Sequence, residues 1–220
     1  MSEEAPNSHG GLVLVPAAIT LGVTLLRLFG ELQGWSPRLF SREPGGGGAL
    51  VGISWLVLVF GAWFGWKLAR AGAGPAGLGR ALGLTLLALV LMPALGFAAR
   101  ALGFPELSMR TLALYVLGAI VGVVVGLRAW PALGRTLLAY AFAARIPVAL
   151  IMLAAILGNW GTHYDVPPSP DFPVMAPLSK WLLIGLLPQM TIWIWFTVVV
   201  GSLFGLGAAA LARRRAAASV

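Results

Sequence analysis

The sequence contains no cysteine, and this absence removes several kinds of chemistry at once. Disulfides, thiolate metal sites, cysteine nucleophiles and cysteine-ligated iron–sulfur clusters are excluded. Charge is also scarce, because the 220 residues include only seven Asp and Glu and two His, and charged residues make up 10% of the chain. A soluble domain of this length needs far more charge to cover its surface.

What is present is mainly apolar. Hydrophobic residues make up 59% of the chain, which therefore has to meet lipid rather than water. The formal net charge of +8 comes from basic residues in small groups between apolar runs, a pattern typical of membrane flanks. We therefore expect the lipid bilayer to be the main partner, and no nucleic acid to bind.

Six apolar runs are each long enough for a transmembrane helix of about 20 residues. They span residues 11–30, 49–68, 81–99, 111–127, 136–157 and 181–212. The predicted fold is an all-α, polytopic integral membrane protein with a bundle of six transmembrane helices. The predicted organisation is a polar N-terminal tail (1–10), a single six-helix membrane domain (11–212) and a basic C-terminal tail (213–220).

The loops between the runs predict an orientation. Basic residues are more numerous in the even-numbered loops and at the C-terminus than in the odd-numbered loops. The even-numbered loops and the C-terminus are therefore expected in the cytoplasm. Both termini are then cytoplasmic, and the long first and fifth loops face out. Abundant Ala, Gly, Leu and Arg are typical of a GC-rich bacterial genome, which predicts a multi-pass protein of the bacterial inner membrane.

Arg145 is the main candidate for a binding residue, because it lies about 13 Å along the fifth run, near the bilayer midplane. A cation at that depth faces protein or water and usually has a partner. The sixth run has a matching break at "LLPQMTIW", which places Gln189 and Thr191 at a similar depth. These three residues could bind an anionic or carbonyl-bearing group. Alternatively, the role of Arg145 is packing, and its side chain either donates to carbonyls opened by Pro188 or extends inward along the fifth run towards the membrane surface.

The fifth loop contains a second candidate cluster. His163, Asp165 and Asp171 could bind a divalent metal or perform acid/base catalysis, although their spacing matches no known metal motif. The alternatives are a solvated cap or a lid over an outward-facing cavity. We predict no metal and no cofactor, and we keep the three residues only as weak catalytic candidates.

Two further patterns have a structural and a functional interpretation. Arg27 and Glu31 are spaced i, i+4 and can pair at the outer end of the first run as an interfacial anchor. Alternatively, Glu31 can point into the bundle and bind a cation.

The fourth run carries a stripe of small residues that permits close helix contact. The contact can be inside the chain, in a homo-oligomer or with a partner membrane subunit. The stripe is Gly118, Gly122 and Gly126.

Missing motifs narrow the function. No run contains a deep Asp or Glu, and no serine-hydrolase or Walker motif occurs. The leading hypothesis is a transporter or solute-binding membrane subunit with an outward-facing site. The alternatives are a structural or assembly subunit of a larger complex and, less favoured, a membrane-embedded enzyme acting at the outer leaflet. The predicted ligand-binding residues are Arg145, Gln189, Thr191 and Glu31.

Overall fold

The structure, a computed structural model, describes residues 9–105 and 108–218. All the regular structure in these two ranges is helical. The long helices are α1 (His9–Leu32), α2 (Leu56–Arg70), α3 (Leu78–Ala101), α4 (Met109–Ala129) and α5 (Pro131–Gly158). The last segment comprises α6 (Pro177–Lys180), a π-helix (Trp181–Leu186), α7 (Leu187–Met190) and α8 (Ile192–Ala218), and a short 3₁₀ turn (Pro44–Gly46) lies in the first loop.

Five segments in the described part of the chain are long and apolar enough to cross a membrane. They are Gly11–Leu32, Leu78–Ala101, Met109–Ala129, Pro131–Gly158 and Pro177–Arg215. Large apolar side chains on their outer faces, such as Leu14, Val90 and Phe97, are exposed rather than packed. Exposed side chains of this kind suit hydrocarbon and not water. The chain is therefore all-helical, and its helices indicate a multi-pass membrane protein.

The predicted span over 49–68 differs from the structure. Its helix begins only at Leu56 and has 15 residues, about 22 Å at 1.5 Å per residue, which is shorter than a hydrocarbon core of about 30 Å. The preceding residues form bends and turns, and in the first loop the carbonyl of Gly46 accepts a hydrogen bond from Arg27. The prediction of six transmembrane helices is therefore not confirmed, and neither is the predicted orientation of the termini.

Helix α2 nevertheless runs alongside α8 from one end of the bundle to the other. Ile53 and Ser54, just before α2, line the same cavity as His163 of the fifth loop. Beyond its other end, the carbonyl of Ala73 accepts a hydrogen bond from Trp130, and the carbonyl of Pro75 accepts one from Arg213. We call the end that carries the first and fifth loops the loop end.

Glycines allow α2 and α8 to pack backbone against backbone. A Cβ atom on Gly61 would lie 2.5 Å from the carbonyl oxygen of Gly201, and a Cβ on Gly65 would clash with Gly205 in the same way. Small residues at matching positions are what bring membrane helices this close. This contact fixes α8 against α2 and so helps to position the residues at the N-terminal end of α8.

The small-residue stripe of α4 is covered by the chain's own helices. A Cβ on Gly118 would meet Met92 of α3, one on Gly122 would meet the Trp195 ring of α8, and all three glycines of the stripe are buried. Trp195 also donates from Nε1 to the carbonyl of Ala88 at 3.0 Å. Packing within the chain therefore accounts for the stripe, and these contacts do not test a homo-oligomer.

The predicted break in the last apolar run is confirmed. Pro188 has no backbone N–H, and the residues before it form a π-helix. At Thr191 the backbone leaves the helical region (φ −123°, ψ −75°), and its hydroxyl donates to the carbonyl of Leu187 at 2.6 Å. The segment therefore changes course between Gln189 and Trp193.

The two predicted tails lie partly outside the described residues. Residues 1–8 of the polar N-terminal tail and residues 219–220 at the C-terminus are not described. Within the described part, α1 begins at His9, and α8 continues to Ala218 through the basic residues Arg213–Arg215.

Candidate functional site

A cavity of about 260 Å³ lies between α1, α5, the interrupted last helix and the two loops. At the loop end it is lined by exposed Gly45 and Pro168, and further in by Arg145, Gln189 and Trp193. It therefore connects the loop surface to the middle of α5. The cavity contains the two polar clusters described below.

The inner cluster consists of Arg145, Gln189 and Trp193. Arg145 is 14 residues from the start of α5 and 13 from its end, so it lies about 20 Å from either end of the helix. Its side chain is 3% exposed, and its guanidinium carbon lies 4.4 Å from the centroid of the Trp193 ring. This geometry is a cation–π contact.

Arg145 has no ionic partner among the described residues. No carboxylate in these ranges lies within 4.0 Å of its nitrogens, and its buried Nε has no hydrogen-bond partner there. No hydrogen bond from Arg145 to the carbonyls near Pro188 is present among the described residues, and its guanidinium instead packs on the Trp193 ring. Buried cations are normally paired, so an unpaired guanidinium lining a cavity is an unusual and costly feature.

Gln189 is also incompletely bonded. It is 7% exposed, its Nε2 makes a weak contact of 3.7 Å with the sulfur of Met152, and its buried Oε1 has no partner among the described residues. An unsatisfied buried acceptor of this kind costs about 1–3 kcal/mol. Arg145 and Gln189 therefore both leave hydrogen-bonding capacity unused at the inner end of the cavity.

Thr191 was predicted beside Arg145 and Gln189 but does not line the cavity. Its hydroxyl donates to the carbonyl of Leu187, so it shapes the helix break instead. Trp193 takes the third position, and it was not among the predicted site residues. Trp193 lies beyond the break at Thr191, so its spacing of four residues from Gln189 could not by itself have placed the two side chains on one helix face.

The loop-end cluster consists of Arg27, Glu31 and His163. Glu31 is fully buried, and its Oε1 accepts from Arg27 Nε at 2.8 Å and lies 2.5 Å from His163 Nδ1. Its Oε2 accepts from the backbone N–H of His163 at 2.9 Å. The i, i+4 pair is thus present, but Glu31 points into the bundle and is not an exposed interfacial anchor.

Arg27 connects this cluster to the first loop. Its Nη2 donates to the carbonyls of Ser41 and Gly46 at 3.2 and 3.1 Å, while Arg42 donates to the backbone carbonyl of Glu31. Glu31 therefore joins α1, the first loop and the fifth loop. Arg27 and His163 line the cavity, whereas the Glu31 carboxylate lies behind them.

The three catalytic candidates of the fifth loop do not form a cluster. Asp165 accepts from the backbone N–H groups of Gly161 and Thr162, at 2.9 and 2.7 Å, and from the Thr162 hydroxyl at 2.7 Å, so it closes the turn that presents His163. Asp171 is exposed further along the loop. Within residues 9–105 and 108–218, no group of three or more His, Asp and Glu is arranged to hold a metal ion.

The protonation state of His163 follows from its surroundings. Burial lowers the pKa of His163 below its usual value of 6.5, and this effect outweighs the hydrogen bond that the ring donates to the Glu31 carboxylate, which raises the pKa. Burial also raises the pKa of Tyr164, so this phenol is neutral at physiological pH. Tyr164 packs against the His163 ring with centroids 3.9 Å apart and donates to the carbonyl of Thr24 at 3.3 Å.

A buried carboxylate can only accept a hydrogen bond, so the His163 proton resides on Nδ1 and the basic lone pair on Nε2. No described residue bonds Nε2. The cavity thus combines one unpaired cation, Arg145, with one available imidazole nitrogen. Such a site can bind an anion and exchange a proton.

Comparisons of the chain with protein-family models, curated proteins and solved structures found no match.

Proposed function

We propose that the protein is a transporter, or the solute-binding membrane subunit of one, that holds a small organic anion in this cavity. The observation that carries the proposal is Arg145, which is buried in the middle of α5, lacks an ionic partner among the described residues and lines a cavity continuous with the loops. An unpaired cation at that depth costs a few kcal/mol, which a bound anion would offset. With the predicted orientation, the site opens outward.

The site favours a compact ligand with a planar or tetrahedral anionic group. The volume of about 260 Å³ is slightly below the 300–1,000 Å³ typical of sites for drug-sized molecules. Trp193 covers one face of the guanidinium, so an anion would approach its edge, where two parallel hydrogen bonds can form. Gln189 would donate to or accept from a neighbouring group of the ligand.

In this proposal, Glu31 positions other residues and does not bind the ligand directly. Its carboxylate already accepts hydrogen bonds from Arg27 and His163, and its charge would repel an anion. Thr191 likewise supports the site by shaping the break before α8. The direct ligand contacts are therefore assigned to Arg145 and Gln189.

A binding screen tests the proposal. The protein, in nanodiscs of a zwitterionic lipid, is titrated calorimetrically with small carboxylates, sulfonates and phosphates, each beside its neutral amide, for example benzenesulfonate and benzenesulfonamide. We expect at least one anion to bind and its amide not to. Arg145→Gln should abolish binding, whereas Arg128→Gln, the same change on an exposed residue of α4, should retain it. Equal binding of anion and amide, or no effect of Arg145→Gln, contradicts the proposal.

Reconstitution then distinguishes transport from binding alone. Proteoliposomes preloaded with the anion that bound best are tested for accumulation of labelled anion by exchange. Exchange that requires Arg145 identifies a transporter. Binding without exchange identifies a solute-binding subunit that needs a partner.

A membrane-embedded enzyme is a second candidate, favoured by the imidazole of His163, which is oriented by Glu31 and lines the same cavity as Arg145. A carboxylate–imidazole pair can act as a general base. An enzyme would convert the bound anion, so mass spectrometry of the titrated sample decides between the two functions. Recovery of the unchanged anion favours transport.

A further inference from the structure

We infer that His163 takes up a proton when an anion occupies the cavity, so that the protein binds the anion and a proton together. This inference rests on the proposed function and adds the coupled ion to it. It starts from the fact that His163 and Arg145 line one continuous cavity, although they come from the fifth loop and the middle of α5.

Nε2 is the atom that would accept the proton. One oxygen of Glu31 lies 2.5 Å from Nδ1 of the His163 ring, and the other accepts from the His163 backbone N–H at 2.9 Å. The ring therefore cannot rotate without losing its hydrogen bond to Glu31. With Nδ1–H directed at the carboxylate, the neutral ring is basic at Nε2, which no described residue bonds. The step adds H⁺ to this lone pair, giving an imidazolium, and no other covalent bond changes.

The charges around His163 link this proton to the anion. On α1, Arg27 and Glu31 form an ion pair and cancel, and Arg42 donates to the backbone of Glu31. On its own loop, His163 has Tyr164 stacked against it and Asp165 in the turn. Within the described part of the chain, the Asp165 carboxylate is bonded only by backbone N–H groups and a hydroxyl, so its charge also favours the imidazolium, but Asp165 does not line the cavity. Among the described residues that line the cavity, the cation without an ionic partner is Arg145.

In the empty cavity, a protonated His163 and Arg145 would be two cations in one enclosed space, and burial already favours the neutral ring. A bound anion neutralises Arg145 and attracts the imidazolium. For unit charges about 10–20 Å apart in a medium of effective dielectric about 20, the interaction changes an equilibrium constant roughly four- to sixteenfold. The affinity for the anion should therefore rise as the pH falls towards the range where His163 titrates.

Calorimetry in two buffers tests this linkage. Benzenesulfonate is the probe, because a sulfonate stays ionised across the pH range and any proton taken up belongs to the protein. Titrations at pH 7 in bis-tris and in imidazole, which differ in ionisation enthalpy and are not anions, give the number of protons taken up per probe. The wild type should take up a substantial fraction of one proton, and its affinity should rise several-fold between pH 8 and pH 6.

His163→Asn is the diagnostic variant, because its amide nitrogen can replace Nδ1 as donor to Glu31 but cannot titrate. It should bind the probe with no proton uptake and no pH dependence. Asp171→Asn, the same kind of change on an exposed residue of the same loop, should behave as the wild type. If His163→Asn is too unstable to purify, the wild-type proton count and pH dependence stand as the test.

The outcomes separate the inference from the proposed function. Arg145-dependent binding of benzenesulfonate without proton uptake, or with uptake that persists in His163→Asn, overturns the inference and leaves the proposed function standing. If no anion of the screen binds in an Arg145-dependent way, the proposed function itself fails. Uptake that disappears in His163→Asn, while Arg145 remains required, supports both.

Discussion

The Nδ1 of His163 lies 2.5 Å from the Oε1 of Glu31, although the two residues are 132 positions apart in the chain. The contact joins the end of α1 to the turn that follows α5. Because Arg27 shares the same carboxylate and also holds the first loop, one buried anion organises three segments at the loop end. The first two predictions concern this contact.

Glu31→Gln should strongly destabilise the protein. The substitution leaves the Arg27 guanidinium without its counter-ion in a buried place, and removing one partner of a buried pair typically costs about 3–5 kcal/mol. Thermal unfolding in detergent measures the change. Glu43→Gln, the same change on an exposed residue of the first loop, should leave the unfolding temperature unaltered. Similar behaviour of the two variants would show that the Glu31 cluster does not hold the loops.

The empty protein should lose stability as the pH falls below 6.5. The pKa of His163 is lower in the folded protein than its usual value, so the unfolded chain binds this proton more tightly. The loss is absent above pH 6.5 and grows as the pH falls towards the folded pKa. Unfolding temperatures of the wild type and His163→Asn at pH 7.5 and pH 5.5 measure it. A difference between the two proteins that is the same at both pH values contradicts the prediction.

The two buried arginines should respond oppositely to substitution by methionine. Arg27→Met leaves the buried Glu31 carboxylate without its counter-ion and should destabilise the protein by several kcal/mol. Arg145→Met removes a cation that has no ionic partner among the described residues. Without a ligand, this variant should therefore be as stable as the wild type or more stable by up to about 2–3 kcal/mol. Its binding of the anion should be lost. Parallel unfolding and binding measurements check both effects. Severe unfolding of Arg145→Met would give Arg145 a structural role.

Gly61→Ala should separate α2 from α8. Its methyl group would lie 2.5 Å from the carbonyl oxygen of Gly201, so the helices must move apart at a cost of about 1–3 kcal/mol. Gly22→Ala in α1, where a Cβ would meet nothing within 4 Å, is the matched control and should not lower the unfolding temperature. Equal effects at the two positions would mean that the close contact is not energetically important.

Part of the candidate site could be predicted from local sequence alone. Arg145 stands out because a cation in an apolar run is costly, and counting residues along two antiparallel runs placed Gln189 at a matching depth. Thr191 was misplaced for a local reason, since its hydroxyl bonds the carbonyl of Leu187 and belongs to the break. The role of Trp193 was not predicted, because the direction of a side chain after a helix break depends on the break geometry.

The start of α2 shows a different limit. Hydropathy measures how well a segment tolerates lipid, and residues 49–55 are apolar enough to continue the run. Hydropathy does not report backbone conformation. In the structure, the chain forms bends and turns up to Trp55, and Arg27 donates a hydrogen bond to the first loop nearby. The predicted span was therefore longer than the observed helix.

The sequence by itself determined that the chain is helical and suited to a membrane, because apolar length and scarce charge are properties of the residues themselves. It also singled out Arg145, since desolvation is costly for a guanidinium wherever the chain places it. Only the tertiary structure decided that Glu31 contacts His163 and that Arg145 lies without an ionic partner among the described residues. It also decided that His163 and Arg145 line the same cavity. Those relationships depend on how distant helices pack, and packing is a property of the assembled bundle and not of any segment.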